Sequence, residues 1–257
     1  MLDKIKSFYE NYDEDNRLFK DKAHLAEYLT TIRYFDQLFQ PNSQILDACA
    51  GTGRYSFYLA NKGHNVTACD LVEHNINIIK SKPIASKLTD IFVCNVLDLS
   101  AFKADNFDVV LCMGAMYHFG SDTEKTQAIR ECVRVCKPNG YIVLSYMNYF
   151  AVTAAELKDG LANINDVLAA FEDESDFMWK ATTPAKMELY AKNAGLDVTH
   201  NIGADGLSFI LRKKVNTATD EDFEKWMNFI YKHCENPALV GCSMHGLLIG
   251  KKKGEHR

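Results

Sequence analysis

The sequence predicts an α/β protein built on a mainly parallel sheet with helices on both faces. Three observations predict it. Strand-like apolar runs alternate with helix-period segments from residue 44 to residue 147. One of those runs, FDVVLCMGA at 107–115, is continuously apolar, as expected of a strand covered on both sides. The first run feeds a turn of small residues, DACAGTGR, that opens a helix.

The elements follow in order. Residues 3–12 and 22–39 read as helices, the second with apolar residues at helical spacing. Pro41-Asn42-Ser43 punctuates, and QILDAC (44–49) is a short strand. RYSFYLANKG (54–63) is a helix ending at Gly63, and NVTACDL (65–71) is the second strand. VEHNINIIKSK (72–82) is a helix stopped by Pro83, and DIFVCNV (90–96) is the third strand. After the run at 107–115, residues 122–136 form a helix, KPNG turns, and YIVLSYM (141–147) is the fifth strand. A β-α-β-α-β-β-α-β series of this kind implies right-handed crossovers, with ligands bound at the carboxyl ends of the strands.

Beyond residue 148 the pattern weakens. Residues 149–183 hold helix-like pieces and the acidic, aromatic stretch FEDESDFMWK. A clear helix starts at Pro184 and stops at Gly195; DVTHNI (197–202) and LSFILRKK (207–214) read as strands. TDEDFEKWMNFIYKHCEN is an amphipathic helix with an acidic first turn, and HGLLIGKKK is the closing strand. No internal repeat, long linker or low-complexity tract is visible. The expected organisation is a single domain over 1–257: N-terminal helices at 1–40, a ligand-binding core at 42–148, a cap insertion at 149–183 and the rest of the sheet at 184–257.

Composition narrows the function classes. A net charge of −5 and a pI near 5.9 argue against a general nucleic-acid binder. The one basic cluster, Lys251 to Lys253, reads as solvation of the last strand. MLDKIKSFYENYDEDN has no apolar leader segment and no apolar run reaches about 18 residues, so a soluble, cytoplasmic protein is expected. There are eight cysteines and no C-x-x-C pair, which removes the spacing of a zinc or redox site. They read as small buried hydrophobes in a reducing compartment, and no metal is expected.

The chemistry-bearing residues cluster at strand ends. In the small-residue turn, Asp47, Ala48 and Cys49 precede Gly51 and Gly53, so the dinucleotide pattern G-x-G-x-x-G is not met. A carboxylate before the turn would repel a pyrophosphate and attract a cation. Asp70, followed by Leu71, closes the second strand, where a carboxylate can accept from a ribose diol. Asn95 and Val96 offer a side-chain oxygen and a backbone N–H to an adenine edge. Asp98 beside them caps the following loop or joins in.

Taken together, LDACAGTGRYS, VTACDL, NVLDLS, FDVVLCMGAMYHF and RVCKPNGYIVLSY resemble the class I S-adenosylmethionine-dependent methyltransferases, and most closely the bacterial small-molecule methyltransferase-domain group. The motifs span about residues 42–148. The resemblance implies a Rossmann-like, seven-stranded, mostly parallel sheet with an antiparallel last strand. It implies S-adenosylmethionine as cofactor, released as S-adenosylhomocysteine. Position by position, it places Asp47, Ala48, Cys49, Gly51 and Gly53 under the methionine and sulfonium part, and Asp70 with Leu71 at the ribose. It places Asn95 and Val96 at the adenine, and Met113 and Gly114 near the transferred methyl. Two positions depart from the family pattern: Cys49 stands at a glycine, and Asn95 at an acid. Cys49 is compatible with the turn if its φ is negative.

Tyr117 and His118, after the fourth strand, are candidate catalytic residues. His118 suits a general base by its ordinary pKa, and it also suits a packing role. Tyr9 and Tyr12 on the first helix are candidates for a lid over the cofactor, and Arg33 is a weaker one. Phe171, Phe177 and Trp179 either line an acceptor pocket or form the insertion's own small core; His233 and His245 read as structural. The expected activity is in-line methyl transfer to a small-molecule acceptor, carried mainly by positioning. The alternatives are a methyltransferase acting on RNA or protein, which would call for a basic groove or appended module, and a cofactor-binding regulatory module without transfer.

Overall fold

The computed structural model describes residues 2–157, 160–162, 164–170 and 178–254. The helices are α1 (Leu2–Tyr9), α2 (Lys22–Leu38), α3 (Arg54–Asn61), α4 (Glu73–Ser81), α5 (Asp122–Val135), α6 (Tyr149–Leu157), α7 (Ile164–Ala170), α8 (Pro184–Asn193), α9 (Arg212–Asn216), α10 (Asp220–His233) and α11 (Pro237–Cys242). The strands are β1 (Gln44–Asp47), β2 (Asn65–Asp70), β3 (Asp90–Val93), β4 (Phe107–Cys112), β5 (Cys136–Met147), β6 (Leu196–Gly203) and β7 (His245–Lys252). Short 3₁₀ turns occupy Arg17–Phe19 and Pro83–Lys87.

The seven strands form one sheet in the order β3-β2-β1-β4-β5-β7-β6. β1 to β5 run parallel, and β7 is antiparallel to both neighbours, β5 and β6. The order reverses between β1 and β4, so their carboxyl ends open the crevice that parallel α/β sheets use for ligands. Because β7 runs backwards, its first residue, His245, stands opposite Met147 at the end of β5.

Period-two alternation along the buried strands divides the core. Val109 and Leu111 face α2, α3 and α10, packing with Phe35, Leu59 and Ile230. Val110 and Cys112 face α5 and α8, packing with Ile129, Met187 and Tyr190. Each fully buried Val, Leu or Ile contributes ~1.5–3 kcal/mol, so covering both faces fixes strand register and holds the crevice open at one end. α5 is started by a capping box between Ser121 and Glu124.

Four expectations are corrected. LSFILRKK is not a strand: Leu211 and Val215 donate to carbonyls four residues back, and α9 begins at Arg212. Its short apolar run carried no period that separates helix from strand. Residues 10–12 leave the first helix, since Asn11-Tyr12-Asp13 turns the chain. β3 stops pairing at Val93, because Asn95 Oδ1 accepts from Leu97 N and folds the backbone out of the sheet. The cysteines are not all thiols: β2–β3 pairing brings Cys69 and Cys94 to 5.6 Å between Cα atoms, and they form a disulfide. The aromatic residues Phe171 and Phe177 of the insertion lie outside the described residues.

Candidate functional site

The turn after β1 is pinned on both sides. Ala48 N donates to Leu111 O on β4 and Ala50 N donates to Cys69 O on β2, at 2.8 and 2.9 Å. Gly51 and Gly53 hold φ of +52° and +87°, the left-handed region that glycine enters without a Cβ clash. Cys49 is absent from the non-glycine residues of positive φ, so the chain does not need glycine there.

Asp70 ties β2 to that turn. Its Oδ2 accepts from Gly51 N at 2.8 Å, and its Oδ1 accepts from Val72 N and Asn75 Nδ2 at 2.9 and 3.2 Å. Burial raises its pKa, and the three donors oppose the rise. A carboxylate offers about four acceptor positions, so one remains for a ligand on the cavity side.

A cavity opens over these groups. Ala48, Cys49, Gly51, Asp70, Leu71, Asn95, Val96, Met113, Gly114, Tyr9, Tyr117 and His118 line it, which brings together most of the residues singled out in the sequence. Asp47, Gly53 and Tyr12 do not line it. Asp47 lies behind the turn, accepts from Ser56 Oγ at 2.6 Å and is pushed up to about 7 by burial. Gly53 begins α3 against Phe57, and Tyr12 opens onto a second cavity. Asp98 accepts from Ser100 N in an exposed loop, and Arg33 stacks its guanidinium 4.7 Å above the Tyr231 ring; neither lines the cavity.

Chemically, the donor and acceptor set fits an adenosyl group. It offers the spare acceptor of Asp70 toward a diol and the Asn95 turn toward a base edge. Two left-handed glycines, Gly51 and Gly114, clear side chains from the path. Gly114 N donates to Ser145 Oγ at 2.8 Å, and a Cβ on Gly114 would come within 3.3 Å of the Tyr117 hydroxyl. Among the described residues no group of three or more His, Cys, Asp and Glu side chains is placed to hold a metal.

His118 sits in an aromatic cage. Tyr9 Oη donates to its Nε2 at 3.0 Å, its Nδ1 donates to Met178 O at 3.3 Å, and the Trp179 ring lies 4.8 Å away. Burial lowers its pKa to about 4. Both nitrogens are engaged and the ring stays neutral, so His118 braces Tyr9. Trp179 also meets Phe8 edge-on at 5.5 Å, which joins the cap to α1.

A second cavity, about 480 Å³ in volume, adjoins the first. The two share Tyr9, Glu14, Arg17, Tyr117 and His245, which form a throat. Here lie residues that the sequence reading missed. Arg17 donates to both oxygens of Glu27 at 2.9 and 3.1 Å and to Glu14 Oε1 at 3.2 Å. Burial opposes the Glu27 carboxylate, yet Arg17 and His245 hold its pKa down at about 2. Burial raises that of Glu14, against the pull of Arg17. The signal was present: Glu27 falls on the stripe of α2 that buries Ala23, Thr30 and Tyr34. A charge on that stripe requires a partner.

A methyltransferase-domain family model matches residues 46–144. A ubiquinone biosynthesis O-methyltransferase of Xanthomonas axonopodis pv. citri is 29% identical over 170 residues, which is 65% of this chain and 68% of that protein. A protein named probable tRNA methyltransferase 9B, from Bos taurus, is 29% identical over 113 residues, covering 44% of this chain and 23% of its own length. Among solved structures, a SAM-dependent methyltransferase from Methanosarcina mazei superposes with a TM-score of 0.59 at 18% identity, over 86% of this chain and 98% of that one.

Proposed function

We propose that this chain, a class I S-adenosylmethionine-dependent methyltransferase, passes the methyl group to a small, mainly apolar acceptor held in the second cavity. The observation that carries the reading is the throat: the two cavities adjoin at five shared residues, which sets an acceptor in the second beside the cavity that fits the adenosyl group. At about 480 Å³ the second cavity falls within the ~300–1,000 Å³ of small-molecule sites. Met147, Val152, Trp179, Phe209 and Met244 give it an apolar, partly aromatic wall. Arg17, the cation at its floor, is already paired with two carboxylates, and the chain is net acidic. Both features disfavour a polyanionic acceptor. Relatives named O-methyltransferases add support for an oxygen acceptor.

When bound, S-adenosylmethionine supplies an electrophilic methyl on a sulfonium, with a neutral thioether as leaving group. Asp70, Asn95, Val96 and Leu71 are assigned to the nucleoside part, and Met113 and Gly114 to the wall beside the methionine part. Tyr9 and Trp179, locked through His118, close the cavity to water and hold the acceptor in line. Positioning of this kind is worth effective molarities of ~10⁵ M and more.

The test is a turnover assay with methyl-labelled S-adenosylmethionine, offering small phenols, carboxylic acids and amines alongside transfer RNA and peptides. Label in a small acceptor and none in RNA or peptide supports the reading. Label confined to RNA or peptide overturns it, and so does cofactor binding with no transfer to any acceptor.

A further inference from the structure

We propose that His245, oriented by Asp205, is the general base that takes the acceptor's proton. The proposal rests on the reading that an acceptor with an ionisable X–H group occupies the second cavity.

The throat limits the choice of base. Of its five residues, Arg17 is a cation. Tyr9 and Tyr117 are phenols whose pKa values burial raises further, so both stay protonated. Glu14 and His245 remain. Glu14 binds Arg17 through Oε1, and its side chain lies against Gly51 on the cofactor side, 3.4 Å from where a Cβ would stand. His245 borders both cavities at the β5–β7 end of the throat, beside Met147.

The geometry around His245 fits the task. Asp205, fully buried in the bend after β6, accepts at Oδ1 from Ser243 Oγ and Met244 N, and at Oδ2 from His245 N. That same Oδ2 lies 2.7 Å from His245 Nδ1, and Glu27 Oε2 lies 3.3 Å from it. Two carboxylates on one side hold the proton at Nδ1. Nε2 is then the basic nitrogen, and it makes no hydrogen bond to a described residue. The ring edge meets Phe209 at 5.3 Å, and 16% of the side chain is exposed.

The charges facing His245 come from three elements. Glu27 on α2 and Asp205 after β6 favour the imidazolium, and Arg17 in its 3₁₀ turn opposes it. Burial opposes it most, yet the carboxylates prevail and the pKa is raised. The site therefore stabilises the cation that forms when Nε2 takes a proton. In the step, the acceptor's X–H proton moves to Nε2 and an X–CH₃ bond forms. The C–S bond breaks with its electron pair left on sulfur, and the imidazolium later gives its proton to water. A positioned general base contributes ~10²–10⁴-fold.

Two measurements test this. Long-range ¹H–¹⁵N spectra of the whole protein, with His245→Gln to assign the signal, should show an imidazolium that on raising the pH gives a neutral ring protonated at Nδ1 and bare at Nε2. The opposite tautomer overturns the proposal without any acceptor. With an acceptor from the turnover panel, kcat should rise with pH to a plateau. His245→Gln should lose ~10²-fold or more in kcat, flatten that limb and leave cofactor affinity and acceptor KM within a few-fold. Unchanged kcat in His245→Gln, or a limb that vanishes in Glu14→Gln instead, overturns the assignment. Failure of every small acceptor in the wild type strikes the proposed function instead, and the tautomer still decides His245.

Discussion

Gly51 donates its backbone N–H to Asp70 Oδ2 at 2.8 Å, joining the turn after β1 to the last residue of β2. The two are 19 positions apart in sequence. The bond fixes a left-handed glycine beneath the cavity and aims a buried carboxylate across it. One carboxylate thus serves both the fold and the proposed ribose contact.

Asp70→Ala should therefore fail twice. It removes charge-assisted bonds worth ~1–3 kcal/mol to a ligand hydroxyl, which is ~5–150-fold in affinity. It also orphans the N–H groups of Gly51 and Val72. Titration calorimetry with S-adenosylmethionine and thermal unfolding check the two effects separately. Unchanged cofactor affinity would place the ribose elsewhere.

Gly51 and Cys49 should respond for different reasons. Gly51→Ala puts a Cβ into left-handed backbone, at ~1–2 kcal/mol, with the Glu14 side chain 3.4 Å away. Cys49→Gly gains no conformational relief, because residue 49 lacks a positive φ. It enlarges the unfolded ensemble by ~0.5–1 kcal/mol and loses the Sγ contact with Cys112 at 3.9 Å. Both should lower the unfolding midpoint. A more stable Cys49→Gly would reveal strain at that residue.

The parts of the molecule that were legible in sequence are those fixed by local pattern. β1, β2 and β4 announce themselves by apolar runs, and the Gly51–Gly53 turn by composition between them. Asp70 and Asn95 were found because strand ends in such sheets point to one crevice. Arg17, Glu27 and Asp205 were not, and His245 read as structural, because what unites them is spatial: 3₁₀ turn, helix, bend and strand converge from 17 to 245 in the chain. Leu207–Lys214 misled for the reverse reason, its pattern being too short to fix a period. Asp47 shows a third case. Its position in the motif was clear, but the direction of its side chain, away from the cavity, depends on Ser56 in the first turn of α3, nine positions on.

Trp179→Ala should act on the acceptor alone. Trp179 lines the second cavity and not the first, and its ring meets Tyr117, His118 and Phe8 at 4.8–5.5 Å. Aromatic contacts of this kind are worth ~0.5–1.5 kcal/mol each. Acceptor KM should rise about tenfold or more, with cofactor affinity changed less than about twofold. Equal losses for both ligands would mean that the tryptophan supports the whole lid.

Glu27→Ala should be the most damaging substitution in the throat. It strips Arg17 of its bidentate partner and His245 of one carboxylate, inside the fold. Breaking a buried ion pair by removing one side costs ~3–5 kcal/mol. Its folded pKa, about 2 against 4.5 for the free side chain, also sets a pH window. The carboxylate's contribution is present above about 4.5 and is lost as pH falls toward about 2. Denaturant unfolding at pH 7 and pH 3 should show a large gap between wild type and variant at the first and a smaller one at the second.

Asp47 predicts the opposite pH dependence. Burial holds its carboxyl protonated up to about 7, against 3.8 for the free side chain. Between those values the folded chain keeps a proton that the unfolded chain releases, so stability falls as pH rises from about 4 to about 7 and levels off above. One such proton gives a slope of at most ~1.4 kcal/mol per pH unit. Asp47→Asn does not titrate, and its amide oxygen can still accept from Ser56 Oγ. Burial also raises Asp70 and Glu14, but they remain in both proteins, so the difference between wild type and variant reports residue 47 together with its repulsion by Asp70. Urea unfolding from pH 4 to pH 8 should show the variant gaining on the wild type by a few kcal/mol across that range. The cause is the charge that the wild type is forced to bury at the upper end. Parallel stability curves would mean that Asp47 titrates normally and that water reaches it behind the glycine turn.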